Sequence, residues 1–287
     1  MAGFVEAIFA AGPAVGSTVL EKARALETVI GRYGSAVVAF SGGVDSTFLA
    51  RAARDIIGER VLLVTALSAT YPAFEREEAR QLAGFLGMPH RLITTDEMNS
   101  GDYRFNPPDR CYLCKRELFT EILKIAADEG YDIVFEGGNA DDLGDYRPGR
   151  RAVAELGAVS PLCEAGLTKQ EIRAMSAALG LPTAAKPSYA CLASRFPYGE
   201  ELTTEKMTRV EKAEDSLRRL GFTRCRVRSH VDLARIELAG DEVERGWSLR
   251  REIDEVCRAA GFLYVTMDLR GYRTGAMNEA LKHADRR

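Results

Sequence analysis

The sequence predicts an α/β protein in which a doubly wound parallel sheet is followed by a second, smaller α/β domain. Short apolar runs alternate with amphipathic segments from residue 17 to about residue 185. This alternation is typical of a parallel sheet with helices on both faces. Beyond about residue 200 the order of predicted helices and strands changes, which indicates a separate domain. The 287 residues, of which 46% are hydrophobic, are enough for one large and one small domain.

The predicted first domain begins with a helix that Ser17 can cap and that Gly34 follows. Its apolar residues recur on one side of the helix, at Leu20, Ala23, Leu26 and Ile30. The next apolar runs predict strands at 36–40, 61–67, 91–94 and 132–135. The amphipathic segments between them predict helices near 46–57, 74–87 and 112–129.

The segment PYGEE, Pro197–Glu201, is predicted to be a linker, which places the two domains at residues 1–196 and 197–287. The second domain is predicted to contain a helix, two strands, a helix and a strand, at 204–220, 223–229, 232–239, 242–260 and 262–267. Both helices have an apolar stripe, which we expect to lie mostly in the core. The stripe residues are Met207, Val210 and Leu217 in the first helix and Trp247, Ile253 and Val256 in the second.

Composition narrows the class of protein. The net charge of −3 gives no overall attraction to nucleic acid, so a nucleic-acid partner is not expected. The longest uncharged run has 14 residues, too few to span a bilayer. The apolar start contains Glu6 and lacks a basic segment, so it does not resemble a signal peptide. We therefore expect a cytoplasmic protein whose six cysteines are core, metal-binding or catalytic residues rather than disulfides.

The stretch VVAFSGGVDST, Val37–Thr47, is predicted to be a strand, a glycine turn and the start of a helix. Gly42 and Gly43 lack side chains, so backbone N–H groups can approach an anion, and the positive end of the helix points to the same place. Ser41 and Ser46 add hydroxyl donors. The stretch therefore predicts a phosphate-binding loop at the carboxyl end of the first strand, where ligands usually bind in such sheets.

Asp45 lies in the same turn. Its carboxylate would repel a bare phosphate, so it is better explained as a ligand of Mg²⁺. No G-x-x-x-x-G-K-[ST] motif is present, which excludes a Walker-type loop. The alternative is an ordinary strand-to-helix turn, because Gly-Gly-x-Asp-Ser also occurs by chance.

A second polar cluster follows the strand predicted at 132–135. In EGGNADD the side chains of Asn139, Asp141 and Asp142 are candidates for a metal or nucleotide site. The alternative is a solvated turn that the Asn and Asp side chains stabilise.

Three cysteines lie in motifs. PDRCYLCKREL places Cys111 and Cys114 in a C-x-x-C pair, and KPSYACLASRFPYG contains Cys191. A thiolate is both a strong nucleophile and a soft metal ligand, so either Cys191 alone supplies the reactive sulfur or all three bind an iron–sulfur cluster. A zinc site with Cys163 as fourth ligand and a reducible disulfide are alternatives, although the apolar setting of Cys163 favours core. The two remaining cysteines are expected to be small buried residues: Cys225 and Cys257.

Arginines are the other candidate functional residues. Arg110 and Arg195 flank the cysteine motifs, where they can favour a thiolate, bind a substrate phosphate or form surface ion pairs. In TRCRVRS, period-two alternation places Arg224, Arg226 and Arg228 on one strand face. That face is a candidate cradle for the phosphate of a mononucleotide, or a solvated basic face.

These motifs resemble those of a known family. SGGVDS resembles the pyrophosphate-binding loop of the PP-loop ATP pyrophosphatases, whose fold is adenine nucleotide alpha-hydrolase-like. The likeness continues through EGGNADDLGDYRPGR and LTKQEIRAMSAALGLP. From about residue 20 to residue 275 the chain is similar to the LarE sulfur transferases, with SGGVDS, EGGNADD and PSYACLASRFPYG as the most specific marks.

The resemblance implies an ATP- and Mg²⁺-dependent sulfur transferase of nickel-pincer cofactor biosynthesis. In that family ATP adenylates a carboxylate of a pyridinium biscarboxylic acid mononucleotide with release of pyrophosphate, and sulfur then displaces AMP. The implied catalytic residues are Asp45 and Cys191. The implied nucleotide-binding residues are Ser41, Gly42, Gly43, Asp45, Ser46, Asn139 and Asp141.

One branch of the family gives up the sulfur of its own cysteine, whereas another carries three cysteines and is thought to deliver sulfide from a 4Fe-4S cluster. This chain has the three-cysteine pattern, so the resemblance implies a cluster on Cys111, Cys114 and Cys191. The sulfur source is sulfide or another donor that the sequence does not identify.

The resemblance also implies substrate binding by arginines of the smaller domain, a weaker metal-binding role for two acids, and a homo-oligomer, most often a hexamer. The arginines are Arg226 and Arg228, with Arg195 as a further substrate-binding candidate, and the acids are Glu214 and Glu237.

Two other functions fit parts of the sequence. A PP-loop tRNA thiolase shares the loop and often the three cysteines, but the acidic balance and the lack of an added RNA-binding module disfavour it. A non-enzymatic alternative is a regulator that binds ATP without cleaving it. Such a protein would release no pyrophosphate.

Overall fold

The computed structural model describes residues 4–10, 17–99, 101–144, 148–187, 190–273 and 275–279. The chain divides into two units, which we call unit 1 and unit 2. Unit 1 consists of Met1–Glu97 and Asp109–Tyr189, and unit 2 consists of Met98–Pro108 and Ala190–Arg287. The predicted α/β class is confirmed, because a parallel sheet with flanking helices and a smaller second sheet are both present.

The division differs from the predicted boundary at residue 196. Unit 2 begins at Ala190 and also contains the insertion Met98–Pro108. The Asn106 side chain donates to the carbonyl oxygens of Phe196 and Pro197, at 3.0 and 2.8 Å. PYGEE is therefore packed inside unit 2 rather than forming a linker. A contact between residues about 90 positions apart leaves no local pattern in the sequence.

The strands are β1 (Ala36–Ala39), β2 (Val61–Leu67), β3 (His90–Thr94), β4 (Ile133–Phe135), β5 (Cys225–His230), β6 (Leu233–Leu238) and β7 (Tyr264–Met267). The helices are α1 (Phe4–Ala10), α2 (Ser17–Ile30), α3 (Val44–Ile57), α4 (Ala73–Leu86), α5 (Gly101–Arg104), α6 (Arg110–Asp128), α7 (Pro148–Glu155), α8 (Pro161–Glu164), α9 (Lys169–Ala178), α10 (Thr204–Arg219), α11 (Val243–Ser248) and α12 (Arg250–Ala259). Apart from the helix predicted at 242–260, the predicted elements are confirmed with ends shifted by at most two residues. No helix in the described ranges is both long and apolar enough to cross a membrane.

The sheet of unit 1 has the strand order β3-β2-β1-β4, and all its strands run parallel. In the centre, Val37 of β1 is in register with Leu62 of β2 on one side and with Val134 of β4 on the other. The chain steps outwards from β1 to β3 and then returns to the opposite side of β1 for β4. The strand order therefore reverses between β1 and β4, and such a switch point is where open α/β sheets bind ligands.

Helices cover both faces of this sheet. Ala36 and Val38 of β1 pack in one apolar cluster with Phe48 of α3. Val37, which points to the opposite face, packs in a second cluster with Phe119 of α6. A strand that is buried on both faces is expected to be apolar at every position, as β1 is.

The sheet of unit 2 has the order β5-β6-β7, with β5 and β6 antiparallel and β6 and β7 parallel. The predicted stripe of α10 is buried at Met207, Val210 and Leu217. The helix predicted at 242–260 is wrong, because the chain leaves the helical conformation at Leu249 (φ −96°, ψ 22°) and forms α11 and α12 instead. Trp247 consequently does not continue the α12 stripe and is 64% exposed.

Candidate functional site

The loop between β1 and α3 has the conformation that its two glycines permit. Gly42 has φ +64°, and a Cβ atom there would lie 3.1 Å from the Cα atom of Ala79. The Ser41 and Ser46 hydroxyls are 3.1 Å apart, and the Gly43 N–H donates to the Ser41 hydroxyl at 3.3 Å. The loop is thus folded tightly against α4, and only glycine fits at residue 42 without strain.

The N-terminal end of helix α3 is available to an anion. Gly43 is its N-cap residue, and no side chain caps it. The first N–H groups of a helix lack partners within the helix and carry the positive end of its dipole. The loop after β4 approaches this point, because a Cβ atom on Gly137 would lie 3.3 Å from the Ser46 nitrogen. The predicted phosphate loop therefore lies at the switch point between β1 and β4.

The carbonyl side of the loop is held by two residues that the sequence analysis did not identify. The Tyr71 hydroxyl donates to the Ser41 carbonyl oxygen at 3.0 Å. The Lys186 ammonium donates to the Gly42 carbonyl oxygen at 2.8 Å and pairs with Glu78. Burial raises the pKa of Tyr71, with help from nearby carboxylates, so its hydroxyl stays protonated and can donate. Both contacts leave the N–H side of the loop for a ligand.

The polar cluster after β4 forms an ordered turn. The Asn139 N–H donates to an Asp142 carboxylate oxygen at 3.1 Å, and the Asp141 N–H donates to the Asn139 side-chain oxygen at 3.0 Å. Asp141 also accepts the backbone N–H of Lys169 at 2.9 Å. These are the bonds of the stabilised turn named above as the alternative, and they also place the cluster beside the first residue of α9.

Asp45 and Lys169 form an ion pair in this region. Burial raises the pKa of Asp45, and Asp142 adds to that effect, whereas Lys169 and the Asn139 side chain oppose it. The Lys169 ammonium thus partly offsets the cost of burying this carboxylate. Lys169 was missed in the sequence analysis, although it lies in the family-like segment LTKQEIRAMSAALGLP.

These residues fit Mg²⁺ held jointly with phosphates. Asp45 Oδ1 is buried and accepts no hydrogen bond of normal geometry. Within the part of the chain that the structure describes, no group of three or more His, Cys, Asp or Glu side chains is placed to hold a metal ion. Mg²⁺ usually takes one or two carboxylates and completes its shell with substrate phosphates and water, so a single carboxylate is sufficient here.

The C-x-x-C pair lies in the first two turns of α6, with Cys111 exposed and Cys114 partly buried. Residues three apart lie on the same side of a helix, so their sulfur atoms can serve one ligand. The next residue, Lys115, pairs with Glu136, which follows β4. Burial raises the pKa of Glu136, but Lys115 and hydrogen bonds from Gly138 and Ser160 outweigh it and lower that pKa. The C-x-x-C helix is thereby tied to the EGGNADD turn.

The other cysteines divide into two kinds. Cys225 and Cys257 are buried, which confirms them as core residues, and burial raises the pKa of each thiol to about 12. Cys163 is only partly buried, and the Arg150 guanidinium lies 3.8 Å from its sulfur. Cys163 is therefore at the edge of the core rather than fully inside it, as the sequence had predicted.

Cys191 lies in unit 2, whereas Cys111 and Cys114 lie in unit 1. It is partly buried and precedes a 3₁₀ turn, Leu192–Arg195. Arg195 is 1% exposed and donates to Glu214 and to backbone carbonyls beside Cys191. Arg195 therefore holds this turn, and its predicted role in binding a substrate phosphate stays a prediction. The three-cysteine cluster stays a prediction.

The predicted arginine face is correct for two of its three residues. Arg224 is exposed and precedes β5, so it does not share the strand face. Arg226 and Arg228 are buried, and β6 places Glu237 in register with Arg226. The sequence feature that would have revealed this pairing is the segment LARIEL of β6. It places Arg235 opposite Arg228 and Glu237 opposite Arg226.

The two acids predicted as weak metal ligands lie in ion pairs with arginines. Glu214 accepts from Arg195, and Glu237 accepts from Arg228 at 2.8 Å and from Arg235 at 3.3 Å. Arginine already neutralises both carboxylates in this chain. The contacts thus do not support the metal-binding role.

A cavity of about 350 Å³ lies in unit 2 beside these residues. Its lining includes Ser194, Arg195 and Arg228, together with His230 and Arg235. Burial lowers the pKa of His230, and Arg235 adds to that effect, so this histidine is mostly neutral at pH 7. The cationic groups that line the cavity are therefore arginines, which suit a phosphate, although Arg228 and Arg235 also pair with Glu237.

The chain is similar to several known proteins over most of its length. No family model matches the chain. It is 45% identical over 259 residues to an uncharacterized protein of Synechocystis sp., which covers 89% of this chain and 96% of that protein. It is 39% identical over 248 residues to the pyridinium-3,5-bisthiocarboxylic acid mononucleotide synthase of Lactiplantibacillus plantarum, covering 86% and 90% of the two chains. It is also 29% identical over 238 residues to an uncharacterized protein of Methanocaldococcus jannaschii, covering 83% and 90%.

Proposed function

The chain belongs to the LarE family of sulfur transferases, and from this premise we propose that it uses ATP to convert a pyridinium biscarboxylic acid mononucleotide into a thiocarboxylate. In the proposed reaction ATP adenylates one carboxylate and releases pyrophosphate, and sulfur then displaces AMP. The Lactiplantibacillus relative is named for making the 3,5-bisthiocarboxylic acid mononucleotide. The product would serve nickel-pincer cofactor synthesis.

The observation that carries this proposal is the position of the glycine loop and Asp45 at the switch point of the unit 1 sheet. The loop has an uncapped helix end on its ligand side and hydrogen-bonded carbonyls on the other side. An anion bound there would lie beside one buried carboxylate, Asp45, which is what a magnesium-bound pyrophosphate requires.

Adenylation is needed because a carboxylate resists attack by sulfur. Its leaving group would be oxide, whereas a mixed anhydride releases AMP. We assign the backbone N–H groups at the start of α3, with Ser41 and Ser46, to the departing pyrophosphate. Mg²⁺ held by Asp45 would neutralise charge on that group. Asn139 and Asp141 complete the proposed nucleotide contacts.

Sulfur chemistry is assigned to the cysteine motifs. Cys111, Cys114 and Cys191 are proposed to hold a 4Fe-4S cluster, which would supply sulfide for the transfer. The thiols of the C-x-x-C pair fit this role, because they share one side of α6 and at least one of them is exposed. Inorganic sulfide or another donor would have to restore the transferred sulfur.

The test is a reaction of anaerobically purified protein with ATP, Mg²⁺ and pyridinium-3,5-biscarboxylic acid mononucleotide. We expect AMP and pyrophosphate to form only when the mononucleotide is present, and the substrate mass to rise by the exchange of oxygen for sulfur. A parallel reaction with bulk tRNA tests the thiolase alternative. Pyrophosphate release that depends on tRNA and not on the mononucleotide would overturn the proposal.

The two buried arginines of β5 give a further prediction. Replacing Arg226 and Arg228 with alanine should weaken mononucleotide binding by about 100-fold, because two charge-assisted contacts to phosphate are lost. ATP binding in unit 1 should change little. Isothermal titration with each ligand measures both effects, after thermal unfolding has shown that the variant is folded.

Arg224→Ala is the matched control, because Arg224 is a neighbouring arginine that lies outside the strand. It should leave both affinities near the wild-type values. Equal weakening of both ligands in the double variant, or no weakening of either, would reject the phosphate-binding role.

A further inference from the structure

We propose that the buried ion pair between Arg195 and Glu214 positions the backbone around Cys191 for the sulfur-transfer step. This inference rests on the proposed function and deepens it. It makes Arg195 and Glu214 positioning residues that act through Cys191, rather than ligands of substrate or metal.

One side of the Arg195 guanidinium binds a single carboxylate. Its Nε and Nη2 atoms donate to the two oxygens of Glu214, both at 2.9 Å. The two side chains are 1% and 2% exposed. This two-bond arrangement defines the plane of the guanidinium, because both groups are flat and rigid.

The other side of the same guanidinium binds the backbone around the sulfur-bearing residue. Nη1 donates to the carbonyl oxygen of Ala190 at 2.5 Å, to that of Cys191 at 3.1 Å and to the Ser194 hydroxyl at 2.9 Å. These carbonyls belong to the peptide bonds on either side of the Cys191 Cα atom. Arg195 therefore holds both peptide planes that determine where the Cys191 side chain starts.

Glu214 is itself held in place. It lies on α10 and accepts the backbone N–H of Val227, in β5, at 2.9 Å. Burial raises its pKa, but the charge and hydrogen bonds of Arg195, with Arg226 and Val227, outweigh that effect and lower it. Glu214 is thus a carboxylate at neutral pH, and its contacts join the Cys191 turn to the helix and sheet of unit 2.

A second arginine reinforces the same turn. Arg228 donates to the Ser194 carbonyl oxygen at 2.6 Å and to Glu237 at 2.8 Å. The turn that follows Cys191 is thus held by two buried ion pairs, one of which contains a proposed phosphate-binding residue. This links the position of the sulfur-bearing segment to the strand that is proposed to hold the substrate.

Stability alone is a weak explanation for such a pair. Well-packed apolar residues often replace a buried ion pair without loss of stability, so its presence is better explained by the geometry that it imposes. Lysine cannot reproduce that geometry, because an ammonium is a point charge and cannot bind two carboxylate oxygens and two carbonyls in one plane.

The variant Arg195→Lys tests the proposal. Thiocarboxylate formation should fall by about 100-fold, the loss that a misplacement of about 1 Å causes at a reacting centre. Mononucleotide-dependent pyrophosphate release should stay near the wild-type rate, because adenylation is assigned to unit 1. A purely structural role would lower both reactions together.

Arg209→Lys is the matched control. Arg209 is a partly buried arginine of the same unit, and it donates to Ser229 at 3.2 Å and to the carbonyl oxygen of Val231. Neither contact involves the Cys191 turn. If Arg195→Lys does not fold, the double variant Arg195→Met with Glu214→Met removes both charges together and should show the same loss of sulfur transfer.

Hydrogen exchange of the peptide covering residues 190–196 provides a readout independent of activity. Arg195→Lys should raise the exchange of the Ser194 and Phe196 amides at least tenfold, and Arg209→Lys should not. Unchanged exchange, unchanged sulfur transfer or an equal loss of both reactions would overturn the proposal. The exchange result still tests whether Arg195 holds the Cys191 turn if the wild-type protein makes no thiocarboxylate, an outcome that would instead overturn the proposed function.

Discussion

Replacing Asp45 with asparagine should reduce mononucleotide-dependent pyrophosphate release by about 1,000-fold, the upper range for loss of one group that stabilises transition-state charge. Asp45 is the only residue assigned here to hold Mg²⁺, and an amide oxygen is a much weaker ligand than a carboxylate. The substitution also removes the partner of Lys169. A coupled pyrophosphate assay with excess ATP and Mg²⁺ measures the effect.

Asp55→Asn is the matched control for this variant. Asp55 lies on the same helix, α3, and forms an (i, i+4) pair with Arg51 at 2.8 Å. The same chemical change at that position should leave the rate near wild type, since surface pairs of this kind contribute little. Near-normal pyrophosphate release from Asp45→Asn would refute the assignment of the loop.

The second large effect concerns the three motif cysteines. Alanine at Cys111, Cys114 or Cys191 should lose or degrade the 4Fe-4S cluster and abolish thiocarboxylate formation, because a cluster needs all three thiolates. Pyrophosphate release should continue in all three variants, since ATP is bound by the glycine loop. Iron and sulfide analysis, the absorption spectrum and product mass measure these effects in anaerobically purified protein.

Cys163→Ala is the control for the cysteine series, because Cys163 is partly buried and lies outside both motifs. It should keep the cluster and the activity. Zinc instead of iron in the wild-type protein, lost on the Cys163→Ala substitution, would favour the four-ligand zinc site that is the alternative to the cluster.

A sacrificial mechanism predicts a different pattern. The sulfur of Cys191 would attack the adenylated carboxylate and displace AMP, and cleavage of the Cβ–Sγ bond would then leave dehydroalanine. The chain would lose the elements of hydrogen sulfide in one turnover, and only Cys191 would be essential. Intact-protein mass spectrometry after one turnover separates the mechanisms. Colourless reconstituted protein with active Cys111→Ala would show that the cluster proposal is wrong.

The fold class and the phosphate loop could be predicted from the sequence because both depend on neighbouring residues. A strand buried on both faces must be apolar throughout, as Val37 and its neighbours are, and a left-handed turn requires glycine, as at Gly42. The core cysteines were recognised for the same reason, since they lie in locally apolar patterns.

The contacts that complete the site were not predictable in this way. Lys169 and Asp45 are 124 residues apart, and Lys186 is 144 residues from Gly42. A lysine at the start of a helix is most often a solvated residue, and no periodicity in the sequence connects it with a distant carboxylate. The packing of α9 beside α3 brings Lys169 to Asp45, and no local pattern predicts that packing.

The sequence by itself determined the order of most helices and strands along the chain, the glycine loop, the motif cysteines and the arginines of β5. The tertiary structure decided which of those residues face a ligand and which hold the fold. Arg195 and Arg228 both line the unit 2 cavity and both pair with a glutamate, yet Arg195 binds the carbonyl oxygens of Ala190 and Cys191 whereas Arg228 binds that of Ser194. Burial and partner geometry arise from contacts between distant segments, and one-dimensional patterns do not contain them.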